Sequence, residues 1–365
     1  MSPATAYAPG RVELLGNHTD YNQGVVLAAA IDRGLTVTGA SRADGIIRFT
    51  SALAEATIQV PLRDFGPRTK ERWANYALGV VHQFVQAGYR IGGFEAELTG
   101  NVPSGAGLSS SAAFEVATAG FLMALQELQV APLTIAKLCQ RAENEFAGVR
   151  SGLLDQVASI FGRADHLVYL DCNTEEVRTI RFPDDLVLIV AQPGARHELL
   201  LSQYNERRKE CAAAARALGV TSLRDLTPEQ LGSSRTWLNP TLYRRAAHIL
   251  EENERVWRAV AALQTGDATT LGTLMNASHE SSRQNFENST PKLDLLVSIA
   301  QSLPGVLGSR LTGGGFGGST VTLVQASCAV ETVERLRAET VKRSGHDPAP
   351  FICRVADGAA MSWRN

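Results

Sequence analysis

The stretch of this chain best equipped to do chemistry is residues 101–113, NVPSGAGLSSSAA. Pro103, Gly105 and Gly107 precede three consecutive serines, Ser109, Ser110 and Ser111, and an apolar run follows at once. Glycines let backbone N–H groups approach an anion with no Cβ in the way. A helix starting at the serines would aim free amides and its positive dipole end at that anion. The same letters also describe a plain turn followed by a serine-capped helix. No GxxxxGK[ST] run occurs anywhere, and the loop has no lysine, so a phosphate here would need help from other parts of the chain. Two stretches can offer it: residues 8–21, APGRVELLGNHTDY, and residues 310–318, RLTGGGFGG.

A phosphate cradle of this kind sits between a strand and a helix, and the flanking sequence predicts both. Phe94, Ala96 and Leu98 alternate as a strand leading into the loop, and residues 109–128 read as a helix apolar nearly all round, hence central. Upstream the chain is mostly β: a strand over 11–16 delivering the polar loop 17–22, a strand-rich region over 25–40, and further strands over 45–50 and 57–62. Residues 73–87 carry Ala77, Val80, Val81, Phe84 and Val85 at helical spacing and close on Gly88. Residues 134–146 and 153–161 read as helices, and 166–171 and 186–191 as strands joined by charged turns. The second half is helix-dominated, with helices over 199–218, 242–263, 268–282 and 291–303. A glycine turn then feeds a strand over 320–324, followed by a helix over 331–342 and a closing strand over 351–355. The charge runs 206–210 and 251–255 read as solvated helix faces. Helices packed on antiparallel strands give an α+β class, divided into residues 1–182 and 183–365.

A length of 365 residues is more than one typical core uses, which supports two domains. The 44% hydrophobic and 20% charged content is that of a globular chain. A net charge of −2 and a pI near 6.4 give no electrostatic reason to expect nucleic acid or an anionic membrane as partner, so any phosphate must be held locally. The five cysteines, Cys139, Cys172, Cys211, Cys328 and Cys353, are scattered with no CxxC pair and read as reduced thiols of a cytoplasmic protein. The opening residues lack the basic start and apolar core of a secretory signal, and no apolar run is long enough to span a bilayer.

Together, the three glycine-bearing stretches resemble the signature motifs of the galacto-, homoserine, mevalonate and phosphomevalonate (GHMP) kinase superfamily. Residues 8–21 look specifically like the galactokinase signature. Residues 142–156 (AENEFAGVRSGLLDQ) and 203–211 (QYNERRKEC) are similar to galactokinase segments too, so the resemblance runs over nearly the whole chain. It implies an N-terminal mixed-sheet domain and a C-terminal ferredoxin-like domain with the active site between them. It also implies transfer of the ATP γ-phosphoryl group to a hydroxyl, in galactokinases the C1 hydroxyl of galactose. Such transfer is mostly positioning and charge neutralisation. ATP and Mg²⁺ are therefore the expected cofactors, a small sugar and ATP the expected partners, and a monomer the expected state.

Residue by residue, the resemblance makes Asp155 the catalytic base and Arg11 the arginine that steadies the transferring phosphoryl group. Pro103, Gly105, Ala106, Gly107, Leu108, Ser109, Ser110 and Ser111 become the nucleotide loop, and Ser111 and Glu143 the Mg²⁺ ligands. Asn17, His18, Asp20 and Tyr204 match sugar-contacting positions, and Gly152 would let the sugar come close to Asp155. The 313–318 glycine run would support the loop by close packing. Two departures stand out: Asn17 replaces a usual glutamate, and Ser319 a usual cysteine. Asparagine keeps one acceptor oxygen and adds an NH₂ donor, so an Asn17 facing the sugar's C6 end would tolerate galacturonate. The alternatives of the same build are galacturonate and N-acetylgalactosamine kinases. A non-catalytic sugar and ATP sensor is a third, but such sensors lack residues of the serine and alanine run that is intact here.

Overall fold

The structure is a computed structural model and describes residues 3–68, 70–103, 105–194 and 200–360. Ser104 of the serine loop and Leu199, the expected first residue of a helix, lie outside the described residues.

The first half forms a mixed sheet of seven strands: β1 (Ala4–Leu15), β2 (Val25–Arg42), β3 (Ile46–Ser51), β4 (Ala56–Pro61), β5 (Gly93–Gly100), β6 (His166–Asp171) and β7 (Glu176–Arg181). They run in the order β4-β3-β5-β2-β6-β7, with β1 also paired to β2. Among the described residues, only β3 and β5 of this sheet pair in parallel. The register of β1 against β2 shifts between Pro9 and Arg11 and again between Glu13 and Leu15. Such bulges bend a strand and re-aim its side chains, and here they bracket the two charged residues of the strand, Arg11 and Glu13.

Helices α1 (Ala74–Gln86), α2 (Ser110–Gln126), α3 (Pro132–Arg141) and α4 (Leu154–Phe161) pack together with this sheet. Buried residues cover α2 all round, from Ala112 to Met123, because it touches β1 and β2 as well as α1, α3 and α4. Burying each large apolar side chain here contributes about 1.5–3 kcal/mol, which holds the start of α2, and so the serine loop, in one place. The second half builds a four-stranded antiparallel sheet from β8 (Leu186–Ala191), β9 (Val306–Thr312), β10 (Ser319–Gln325) and β11 (Phe351–Cys353), ordered β11-β8-β10-β9. Its helices are α5 (Leu200–Leu218), α6 (Pro228–Ser234), α7 (Pro240–Gln264), α8 (Ala268–Ser281), α9 (Pro291–Gln301) and α10 (Ala329–Ser344). Strand β8 alternates between two cores: Leu188 and Val190 join the large central one, while Ile189 and Ala191 pack with Leu296, Ile299 and Leu336 of α9 and α10.

Several expectations need correction. The helix expected over 134–146 is α3 followed by a turn of π-helix, Ala142–Ala147, and a second π turn, Ser282–Phe286, follows α8. Single π turns often mark functional sites, and the first carries Glu143. The charged turn expected after β6 is the strand β7, whose only buried residue is Ile180, so its sequence shows no apolar alternation. Strand β9 was hidden ahead of the glycine run, and α6 is a short helix whose Thr227 and Gln230 form a capping box. The two charge runs are not simply solvated faces. Glu252 and Arg255 of α7 are buried and paired at 2.6 Å, and Glu210 of α5 accepts from the buried Arg245 at 2.7 Å.

Candidate active site

Arg11 is buried on β1 and its guanidinium reaches two ways. Nε and Nη2 donate to Asp155 Oδ1 at 2.8 and 2.7 Å, and Nη1 donates to the Gly107 carbonyl at 2.7 Å. Asp155 stands in the first turn of α4, where the helix dipole favours a negative charge. Its other oxygen accepts from Ser109 Oγ at 2.6 Å. Ser109 therefore makes no capping bond to α2, as a plain capped helix would require, and its hydroxyl is spent on the aspartate instead. One ion pair thus ties the sheet, the serine loop and α4 together.

The loop itself needs glycine at Gly105 and Gly107, with φ of 72° and 71°. The run 313–318 packs against it closely: a Cβ on Gly313 would come within 2.8 Å of the Gly107 carbonyl. Ser319 Oγ donates to the Ala106 carbonyl at 2.5 Å, which gives the serine at that position a holding role. A cavity of about 500 Å³ opens beside the loop, a size suited to small molecules. Gly105, Gly107, Ser109, Ser110 and Ser111 are on its wall with Arg11 and Asp155. Pro103, Ala106 and Leu108 are not, and the last two are buried in the core, shaping the loop from behind. The first N–H groups of α2 are free of helix bonds by geometry, so the start of α2 can hold an anion.

One end of the cavity is apolar and aromatic, lined by Leu35, Leu53, Trp73, Tyr76, Leu98 and Phe114. The sequence reading missed this end. Trp73 and Tyr76 begin α1 one turn apart, a pairing that could have signalled it, but an aromatic pair at helical spacing is usually core.

Asp20, His18 and Tyr204 also line the cavity. The Asp20 carboxyl is pushed up to about 7 by burial and by the negative charges of Asp155 and Glu13. Gly152 is explained differently from the expectation: a Cβ there would lie 2.1 Å from Asp20 Oδ2, so the glycine makes room for the aspartate. His18 has both ring nitrogens occupied. Nε2 lies 3.0 Å from the Gly314 carbonyl, which can only accept, so Nε2 carries the proton and Nδ1 accepts from the Tyr21 hydroxyl at 2.8 Å. Burial holds its pKa down to about 3, so the ring is neutral. Its ring is tilted against those of Tyr204 and Phe286, with centroids 4.9 and 4.6 Å apart, and acts as wall rather than donor.

Asn17 is fully buried and its amide is saturated. Nδ2 donates to Glu13 Oε1 at 3.0 Å and to the Gly313 carbonyl at 2.8 Å, and Oδ1 accepts from Asn288 Nδ2 at 2.8 Å. Asn17 lines the cavity, but with its amide bonded this way it offers a sugar hydroxyl no open donor or acceptor. Its backbone is held as firmly: Glu252 Oε1 accepts from the N–H groups of Gly16 and Asn17 at 2.9 and 3.1 Å and from Ser278 Oγ at 2.7 Å. Burial alone would raise the Glu252 pKa, but Arg255, Arg310 and His248 override it and keep the carboxylate charged. Sequence reasoning missed this anchor of the 17–22 loop.

Glu143, buried in the first π turn, bonds Ser151 and accepts from Gln156 Nε2 at 3.1 Å, with Ser111 as a further partner. Burial and the charge of Asp155 raise its pKa. Ser111 and Glu143 thus place a hydroxyl and a carboxylate side by side on the cavity wall, near a second carboxylate. That hard-oxygen set with surplus negative charge fits Mg²⁺, which needs only one or two protein oxygens beside phosphate and water.

Three family models match the chain: the galactokinase galactose-binding signature over residues 1–41, the GHMP kinases N terminal domain over 75–163 and the GHMP kinases C terminal over 259–341. The galactokinase of Roseiflexus sp. (strain RS-1) is 42% identical over 364 residues, covering 98% of this chain and 93% of the relative. The chain belongs to the galactokinase family. Within that family, the Homo sapiens galactokinase is 40% identical, covering 97% of this chain and 91% of its own. The crystal structure of Lactococcus lactis galactokinase complexed with galactose superposes with a TM-score of 0.95 at 32% identity, over 99% of this chain and 95% of the other. The Methanococcus jannaschii mevalonate kinase, at 20% identity and a TM-score of 0.68 over 98% of this chain and 99% of the other, shares the fold. The expected GHMP kinase fold, a mixed sheet followed by a second sheet with helices, is the one observed. As a member of this kinase family the chain uses ATP. Among the described residues, no helix is long and apolar enough to cross a membrane.

Proposed function

We propose that this chain is a galactokinase that transfers the γ-phosphoryl group of ATP to the C1 hydroxyl of galactose, giving galactose 1-phosphate and ADP. The observation that carries the reading is the Arg11, Asp155 and Ser109 cluster, which sets a carboxylate beside the glycine and serine loop on the wall of the cavity. The aromatic end of the cavity takes the purine, the start of α2 takes the phosphates, and the wall at Asp20 and Tyr204 takes the sugar. Asp155 accepts the proton of the C1 hydroxyl, and the freed oxygen attacks the γ-phosphorus as the bond to the β-phosphate oxygen breaks. Arg11 and the amides of the serine loop meet the charge that develops on the transferring group. Ser111 and Glu143 would hold Mg²⁺, which when bound would supply further neutralisation of the phosphates.

The domains 1–182 and 183–365 complete the proposal, supported by the change of sheet between Arg181 and Leu186. So does a monomer in the cytoplasm, a compartment with which five free cysteines agree. The deciding assay is ADP release from ATP with galactose, glucose, galacturonate and N-acetylgalactosamine. Galactose should give the highest kcat/KM. A higher value for another sugar would reassign the substrate, and no ADP with any sugar would favour a sensor.

Two further outcomes follow from the site. Ser111→Ala and Glu143→Ala should each raise the Mg²⁺ concentration for half-maximal rate by roughly tenfold or more, since even removing an outer-shell partner costs about 10–100-fold in metal affinity. Identical metal titrations in wild type and both variants would remove them from the metal site. Asp20 is neutral below its pKa of about 7 and charged above it, and a charged acceptor bonds hydroxyls about twice as strongly. KM for galactose should therefore fall as pH rises through about 7, and Asp20→Asn should flatten that dependence. A wild-type KM independent of pH in this window would show that Asp20 does not bind the sugar in its charged form.

A further inference from the structure

We propose that Glu13, rather than Asn17, reads the sugar at the end remote from its reacting C1, accepting a hydrogen bond from the C6 hydroxyl and refusing a carboxylate there. The inference rests on the galactose reading above and assigns the residue that sets its specificity.

Arg11 and Glu13 are alternate residues of β1 and both reach the cavity wall. Alternate strand residues point the same way and lie roughly 6–7 Å apart. Arg11 marks the reacting end through its pair with Asp155, so Glu13 stands about one hexose length farther along. The Glu13 carboxylate is half used. Oε1 accepts from Asn17 Nδ2 at 3.0 Å and from Arg310 Nη1 at 3.1 Å. Among the described residues none donates to Oε2, and this oxygen is not sealed from the cavity. An acceptor with one oxygen clamped and the other open is what recognition of a single hydroxyl requires.

Asn17 cannot serve instead, because its amide is spent on Glu13, Gly313 and Asn288. Its role is to hold Glu13 in place. Arg310, fully buried, does the same from the other side, which fixes the rotamer of the glutamate. Glu13 and Asp20 both line the cavity; burial raises the Glu13 pKa, and the guanidinium groups of Arg310 and Arg11 oppose that rise. A uronate placed there would meet Glu13 and Asp20 together. This reverses the tolerance of galacturonate expected from Asn17 alone.

The test compares kcat/KM for galactose and galacturonate in the wild-type enzyme and in Glu13→Gln. The glutamine keeps the shape and an acceptor for Asn17 and Arg310 but loses the charge. The wild type should prefer galactose by at least about 100-fold. Glu13→Gln should narrow that preference by roughly tenfold or more, the factor that about 1.4 kcal/mol of differential binding produces, with KM for ATP unchanged. Equal use of the two sugars by the wild type would overturn the proposal, as would an unchanged ratio in Glu13→Gln. Should that variant fail to fold, Glu13→Asp keeps the charge and withdraws it by one methylene. Its kcat/KM for galactose should fall several-fold with KM for ATP unchanged, and an unchanged value would overturn the proposal as well. Loss of the galactose reading itself is a separate result: the wild type would release no ADP with galactose at all.

Discussion

Asp155→Asn should lower kcat by at least the 10²–10⁴-fold that a positioned general base contributes, while the dissociation constants for galactose and ATP stay within a few-fold of wild type. Asparagine can keep the local geometry, with its carbonyl oxygen toward Arg11 and its NH₂ toward Ser109 Oγ, which can accept as well as donate. It cannot take the proton from the sugar. Steady-state rates and calorimetric titration of each ligand read the two quantities separately. A variant that turned over within tenfold of wild type would show that another group removes the proton.

Arg11→Ala should be at least as damaging, by roughly 10³-fold in kcat, the lower end of what an arginine at a transferring phosphoryl group contributes. Three bonds go at once: two to Asp155 and one to the Gly107 carbonyl, from a side chain that is 6% exposed. Both the base and the phosphate loop lose their tether. Arg11→Lys keeps the charge but cannot bridge both partners, so its loss should be smaller than that of alanine. Added guanidinium should restore part of the Arg11→Ala rate. A kcat within tenfold of wild type for Arg11→Ala would remove the arginine from the chemistry, and rescue by guanidinium separates a chemical role from a collapsed loop.

Both residues were visible in the sequence for the same reason. The strand before Gly16, the glycine and serine loop and the 142–156 segment are local motifs that the family resemblance reads residue by residue, with Arg11 inside β1 and Asp155 in the first turn of α4. The structure brings the two side chains together. The apolar run of β8 and the all-round apolar α2 were legible too, since composition settles them without knowing what packs against them.

What stayed hidden depends on partners far away in the chain. Glu252 read as one charge in a solvated run, yet its carboxylate anchors the N–H groups of Gly16 and Asn17, 236 and 235 residues away. Nothing in the run 251–255 distinguishes it from Glu251, which is exposed. Asn17 and Glu13 were separable only through the bond between them and the carbonyl of Gly313. His18 matched a sugar-contacting position, and only the structure shows both its ring nitrogens occupied within the protein. The π turn that carries Glu143 is invisible to a period of 3.6, because it shares its sequence with an ordinary helix end.

The measurement that tests the account most directly is the position of the phosphate in the product. Galactose and ATP are incubated with the enzyme and Mg²⁺, and the product is followed by phosphorus and proton NMR. The account predicts one ADP per sugar phosphorylated and coupling of the phosphorus to the anomeric proton, with the reducing end lost. Phosphate at any other carbon, or ADP formed with free galactose unchanged, would contradict it.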